Sequence, residues 1–324
     1  MSAALRKPNA EDWTGRDSTG QQAYLHENVR LLTVGGPAKP SAAIRPPALL
    51  GYACDIGVSR NSGRPGASAG PAALRKALGK LPWLKGAPDQ LWDAGDIVAE
   101  GEALEDAQAL FAGRIGELRE AGYLPIGIGG GHDIAFAHYL GLRAGLPPGH
   151  TLGIVNFDAH LDLRLPEPRG HSGSPFTQAA VWCHTYGEAF RYACLGVRPD
   201  ANPQELWDRA GELGALTVDR SGFRPDAVAK SLQQLRSFLE SVESVYLTID
   251  LDGFSSAYAP GVSAASPMGY SPGEMLPLLD LVLESGKVIS MDVAELNPAQ
   301  DRDGQTAILA ASLVHRALHM PRLF

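Results

Sequence analysis

Three groups of aspartate and histidine stand where short apolar runs stop, and this coincidence constrains the fold more than any other feature of the chain. Gly129-Gly130-Gly131-His132 follows the run at 124–128, Asp158-Ala159-His160-Leu161-Asp162 follows 151–157, and Asp250-Leu251-Asp252 follows 244–249. Further runs lie at 49–53, 192–196 and 287–293, all rich in Val, Ile and Leu and bounded by glycine. Continuous apolar runs suit strands buried on both faces of a parallel sheet. The segments 71–81, 102–121 and 226–242 read as amphipathic helices between them, the first with Pro71 in its opening turn. The expected fold is therefore α/β: a three-layer α/β/α sandwich with a mostly parallel central sheet. Active sites of such sheets lie at the carboxyl ends of the strands, where the three clusters fall.

In extended chain, alternate side chains share a face, so Asp158, His160 and Asp162 are expected to converge, as are Asp250 and Asp252. With His132 they form a metal cradle. Their four carboxylates bring a formal charge of about −4, which two divalent ions neutralise and one does not. Carboxylates with some imidazole and no thiolate suit Mn²⁺ better than structural zinc. Two ions roughly 3.5–4 Å apart lower the pKa of a shared water, which points to hydrolysis.

A lone Asp at a strand end is usually a helix cap or turn former, and Asp133, Asp200 and Asp219 are read that way. Capping explains neither Asp-x-His-x-Asp nor Asp-x-Asp after a buried strand. The glycines at 127–131 lack the lysine of a phosphate loop, and no acidic residue about 20 positions on ends a second strand, so a nucleotide site is not expected.

Composition narrows the setting. The 324 residues carry 28 Lys and Arg against 36 Asp and Glu, a net charge of −8, which does not suit nucleic acid. No apolar run reaches the roughly 18 residues of a membrane span, and residues 1–20 lack the apolar stretch of a signal peptide. Cys54, Cys183 and Cys194 show no metal spacing and are expected to pack as small hydrophobes. A cytoplasmic enzyme is expected, folded as one domain over 1–324. Residues 1–48 are read as an N-terminal arm, with an extended lead-in at 40–47, and 49–324 as the catalytic core.

The three clusters, in this order, resemble the arginase and agmatinase superfamily of ureohydrolases. A fourth match is the stretch from Met291 to Pro298, Met-Asp-Val-Ala-Glu-Leu-Asn-Pro. Four further segments are similar to the formimidoylglutamase branch: the stretch from Trp13 to Asp17, Gly51 to Arg64, Asn156 to Arg164, and Ala259 to Ala264. The resemblance implies hydrolysis of N-formimino-L-glutamate to L-glutamate and formamide in histidine degradation, by a hydroxide bridging two Mn²⁺ per subunit. It also implies a homo-oligomer. One ion would be held by His132, Asp158, Asp162 and Asp250, the other by Asp158, His160, Asp250 and Asp252. Glu295 would face the amidinium of the substrate, and Asp162 would pass a proton to the leaving amine.

Arginases carry asparagine two positions beyond the last Asp of the metal motif; here that position is Arg164. A guanidinium suits the extra carboxylate of formiminoglutamate, and Arg60, Arg64 and Arg198 are further candidates. The loop that carries His-Gly-x-Pro in arginases reads Ser172-Gly173-Ser174-Pro175, preceded by His171. Ser172 is thus a candidate substrate contact, and the proton shuttle of that loop is left unassigned. The other readings are a guanidino hydrolase of the agmatinase or guanidinobutyrase type, or a family member that binds metal without catalysis.

Overall fold

The structure, a computed structural model, describes residues 2–32, 45–84 and 90–320. The proposed lead-in at 40–47 lies largely outside the described residues. The strands in chain order are β1 (Ala3–Arg6), β2 (Val29–Leu31), β3 (Pro47–Ala53), β4 (Leu91–Ala99), β5 (Leu124–Gly129), β6 (Leu152–Phe157), β7 (Arg191–Val197), β8 (Leu216–Asp219), β9 (Ser244–Asp250) and β10 (Val288–Ala294). Among the described residues they make one sheet in the order β1-β4-β3-β5-β10-β9-β6-β7-β8, with β2 also on β4. Every pairing is parallel except β1 with β4.

Period-two alternation along the strands divides the apolar side chains between two cores. Val155 and Phe157 of β6, with Val245, Leu247 and Ile249 of β9, face one core, which helices 70–78, 228–240, 272–284 and 305–318 cover. Leu152, Ile154 and Tyr246 face the other, covered by helices 104–120, 134–144, 175–186 and 204–212. The expected three-layer arrangement is observed, and the six expected strands and three expected helices are present with ends shifted by a few residues. The structure adds four strands, β1, β2, β4 and β8. Of these, β4 reads Leu-Trp-Asp-Ala-Gly-Asp-Ile-Val-Ala, and its two aspartates hide it from a hydropathy reading.

Those aspartates are used inside the protein. Arg75, 1% exposed, donates to Asp93 at 2.9 Å and to Asp96 at 2.6 Å. Trp13 Nε1 donates to Asp93 at 2.8 Å, and Arg6 pairs with Asp96 at 2.5 Å. The residues of the expected arm are thereby tied into the sheet, with β2 and β1 one after the other along the outer edge of β4. A buried ion pair contributes little against an apolar replacement of equal shape, whereas removing one partner strands the other charge. Arg75→Ala is therefore expected to lower stability by about 3–5 kcal/mol, read by urea unfolding. A loss below about 1 kcal/mol would show that water reaches Asp93 and Asp96.

Candidate metal centre

β5, β10, β9 and β6 are consecutive in the sheet, and their carboxyl ends deliver His132, Glu295, the Asp250 pair and the Asp158 loop to one place. The glycines before His132 serve backbone contact. Gly130 N donates to Tyr52 O at 2.8 Å and Gly131 N to Cys54 O at 3.0 Å, and a Cβ on residue 130 would lie 1.8 Å from Cys54 O. The turn is thus pressed onto the end of β3.

Convergence is not achieved by extended alternation, as the sequence suggested. β6 ends at Phe157, residues 158–162 form no strand, and Asp162 lies in the left-handed region at φ 49°. Asp250 ends β9 and its carboxylate accepts from Asp252 N at 2.8 Å, starting a turn of 3-10 helix that brings Asp252 round. Glu295 is also left-handed, at φ 67°. Non-glycine residues held there cost on the order of 1–3 kcal/mol each, and such strain gathers where side-chain direction matters.

Two donor groups result. His132, Asp158, Asp162 and Asp250 bring ligand atoms within 4.8 Å of one another, as do Asp158, His160 and Asp252. Asp158 is common to both, while Asp250 falls in the first group alone. The Nδ1 of His132 lies 3.3 Å from Asp158, 2.8 Å from Asp162 and 3.0 Å from Asp250. One N–H satisfies one carboxylate; a cation at the focus satisfies all three.

The far side of the ring supports the same reading. Thr248 Oγ1 spends its proton on Asp292 at 2.5 Å, so at 3.0 Å it accepts from His132 Nε2. That commits Nε2 as a donor, so Nδ1 is the nitrogen that gives up its proton to become a metal ligand when a cation binds. Asp292 also accepts from Tyr246 and pairs with His138 Nδ1 at 2.6 Å. Asn156 Nδ2 steadies Asp158 at 3.0 Å. The residues fit a pair of divalent cations.

The titration pattern records the crowding. Burial first, then Asp252 and Asp158, hold the Asp250 carboxyl well above the usual range. Burial raises Asp252 to about 7, and burial followed by the Asp158 charge raises Asp162. Asp158 is held low: burial works against it, and bonds from His132 and His160 outweigh that. Both imidazoles are raised well, since Asp250 and Asp252 respectively overcome the burial that would lower them.

A cleft of about 330 Å³ opens over the cluster, lined by His132, His160, Asp162, Asp250, Asp252, Glu295, Arg64, Arg164 and Ser172, among others. Glu295 Oε1 accepts from His132 N at 2.9 Å, while Oε2 is buried and unbonded. The arginines separate cleanly. Arg60 pairs with Glu105 at 2.7 Å, Arg198 with Asp200 at 2.5 Å, and Arg64 donates to Val262 O, Ser263 O and Gln300. Arg164 is exposed, and its guanidinium makes no ion pair among the described residues. Ser172 Oγ accepts from Asn61 Nδ2 at 3.2 Å. His171 is used by its own loop, Nε2 donating to Leu165 O at 3.1 Å and Nδ1 accepting from Gly173 N at 3.2 Å. The three cysteines are free and buried, and Asp219 caps the turn at Ser221, as expected.

Sequence reasoning missed Thr248, Asn61, the support from Asp292, and Asn202, whose amide holds the Asp158–Asp162 loop. Thr248 lies two positions before Asp250 on one strand, so period-two spacing could have flagged it. Asn202 lies in a distant loop with no such signal.

A parallel α/β sheet with a carboxylate and imidazole cradle at its carboxyl edge defines a two-metal-site α/β protein. The chain belongs to the arginase family, whose sequence pattern matches residues 45–320. It is 40% identical over 320 residues to a formimidoylglutamase of Geobacillus thermodenitrificans, covering 98% of each chain. It is 42% identical over 315 residues to that of Ralstonia nicotianae, covering 94% of each. Formiminoglutamase of Trypanosoma cruzi, solved with two Mn²⁺, superposes at TM-score 0.76 with 26% identity over 87% of this chain and 96% of that one. Bacillus subtilis formimidoylglutamase shares the fold at TM-score 0.81 with 20% identity, over 96% and 94%.

A raised carboxyl is stabilised by its proton below its folded pKa, and that contribution is lost as pH rises through it. For Asp252 the loss spans the interval from the usual carboxylate range to about 7. Cations then replace the protons. The rise in melting temperature on adding Mn²⁺ is expected to be larger at about pH 8 than at about pH 6. An equal rise at both would show that metal binding releases no protons.

Proposed function

We propose that this protein hydrolyses N-formimino-L-glutamate to L-glutamate and formamide, the step of histidine degradation carried out by formimidoylglutamases, with two Mn²⁺ per subunit. The observation that carries this reading is the presence of two unbonded polar groups in one cleft. Glu295 Oε2 offers a buried acceptor for an amidinium, and the Arg164 guanidinium offers two parallel donors for a carboxylate. A guanidino substrate with a bare cationic tail would meet Arg164 with repulsion.

In this reading His132, Asp158, Asp162 and Asp250 would hold one ion, and Asp158, His160 and Asp252 the other; the second contact of Asp250 that the family resemblance implies lies outside these two donor groups. Two ions held there supply a nucleophile at neutral pH by lowering the pKa of water. Glu295 keeps the formimino group in its cationic, electrophilic form and orients its carbon, a contribution of several kcal/mol in well-placed sites. Asp162 is placed to take a proton on Oδ1, since Oδ2 lies 2.8 Å from His132 Nδ1, on the side where the ion would be held. That proton passes from the attacking water to the α-amino nitrogen as its bond to the formimino carbon breaks. His171, with both ring nitrogens committed to its loop, takes no part in the transfer. Ser172 and Asn61 shape the wall beside Arg164.

The single-domain organisation over 1–324, a cytoplasmic location and a homo-oligomeric state belong to the same proposal. No helix among the described residues is long and apolar enough to cross a membrane.

Asp158→Ala is expected to remove both ions, because Asp158 serves both donor groups, and metal analysis of the purified variant checks this. One ion retained at wild-type affinity would sink the bridging role. Arg164→Ala is expected to weaken formiminoglutamate binding by about 1.5–3 kcal/mol with the ions retained, and to narrow the preference for formiminoglutamate over agmatine. Steady-state kinetics on both substrates decide it; an unchanged Michaelis constant would move the carboxylate site to another group of the cleft.

A further inference from the structure

Of the two donor groups, the one containing His160 takes its imidazole from a segment with no regular secondary structure. A carboxamide on a different loop braces that segment, alongside bonds from Arg198 N to Ala159 O at 2.9 Å, Tyr192 Oη to Leu161 O at 2.9 Å and Cys194 Sγ to His160 O at 3.2 Å. Asn202 Oδ1 accepts from Leu161 N at 2.9 Å, and Asn202 Nδ2 donates to Ala159 O at 2.9 Å. These two bonds fall on the residues immediately before and after His160.

The clamp is itself anchored. Asn202 is 6% exposed, its Nδ2 donates a second time to Arg198 O at 2.9 Å, and its own carbonyl accepts from Trp207 Nε1 at 3.2 Å. It stands just before the helix at 204–212, whose packing in the core gives it a rigid base. The task needs one acceptor and two donors on a single short planar group. Among side chains of this length only asparagine has them, since aspartate lacks the donors and serine lacks the reach.

We propose that Asn202 is a positioning residue for the His160 half of the metal centre. By bridging Ala159 and Leu161 it sets the direction of the imidazole toward Asp158, at 3.5 Å, and Asp252, at 3.2 Å. It therefore governs retention of the ion held on that side and leaves the ion at His132 nearly untouched. This rests on the two-ion reading given above. Its prediction differs from that of a scaffold role, which would weaken both ions together or neither.

The test uses Mn²⁺-loaded protein, wild type beside Asn202→Ala and Asn202→Ser, titrated against graded chelator with the bound Mn²⁺ counted and its electron paramagnetic resonance spectrum recorded. In wild type, two ions and a spin-coupled spectrum are expected. In both variants, the dissociation constant of one ion should rise about 10- to 100-fold, as when a group supporting a ligand is lost. The other ion should stay put, and the spectrum should turn to that of isolated Mn²⁺. Should Asn202→Ala fail to fold, Asn202→Ser decides. Two ions held with wild-type constants, or both weakened alike, would overturn the proposal while leaving the two-ion reading intact. A wild-type chain that holds a single ion would remove the two-ion reading and this proposal with it.

Discussion

Mutual repulsion among Asp158, Asp162, Asp250 and Asp252 is the constraint on which the rest of this structure depends. Within each donor group the ligand atoms lie within 4.8 Å of one another, and the carboxylates are buried or nearly so. Charges that close in a medium of low dielectric repel by several kcal/mol per pair even at an effective dielectric constant of about 20. Without cations the protein can relieve this only by taking up protons, and the raised carboxyls and imidazoles are that relief. A fold that tolerates such a cluster must be stable for other reasons. Here two apolar cores, one on each face of the sheet, carry that burden.

The sheet order turns that stability into placement. β5, β10, β9 and β6 are neighbours in space though they come from four separate stretches of chain, so their ends meet at the middle of the sheet. The left-handed turns at Asp162 and Glu295 bring two side chains to directions that extended backbone would not give them. Three of the candidate ligands have their own support: Thr248 and Asp292 behind His132, Asn156 behind Asp158, Asn202 around His160. The cleft is left with an unbonded carboxylate oxygen on Glu295 and an uncommitted guanidinium on Arg164, a pattern of opposite charges that matches a zwitterionic substrate.

The sequence by itself determined the class of fold, because buried parallel strands need continuous apolar runs and those runs can be counted. It also pointed to the six cradle residues, since a carboxylate beside an imidazole at the mouth of a buried strand has few other uses. It did not reveal β4, whose Asp93 and Asp96 read as solvent-facing until Arg75 and Trp13 are seen to meet them. Nor did it show how these side chains converge: period-two spacing brought the residues together for a reason that the turns at 158–162 and 251–253 replace. Arg164 led four candidate arginines in the sequence because it stands where arginases carry asparagine, and the tertiary structure shows the other three bonded elsewhere in the protein. Asn202 could be found only in three dimensions. A hydrogen bond across about forty residues leaves no periodicity or spacing in the chain, because its geometry is set by the packing of the helix that carries it.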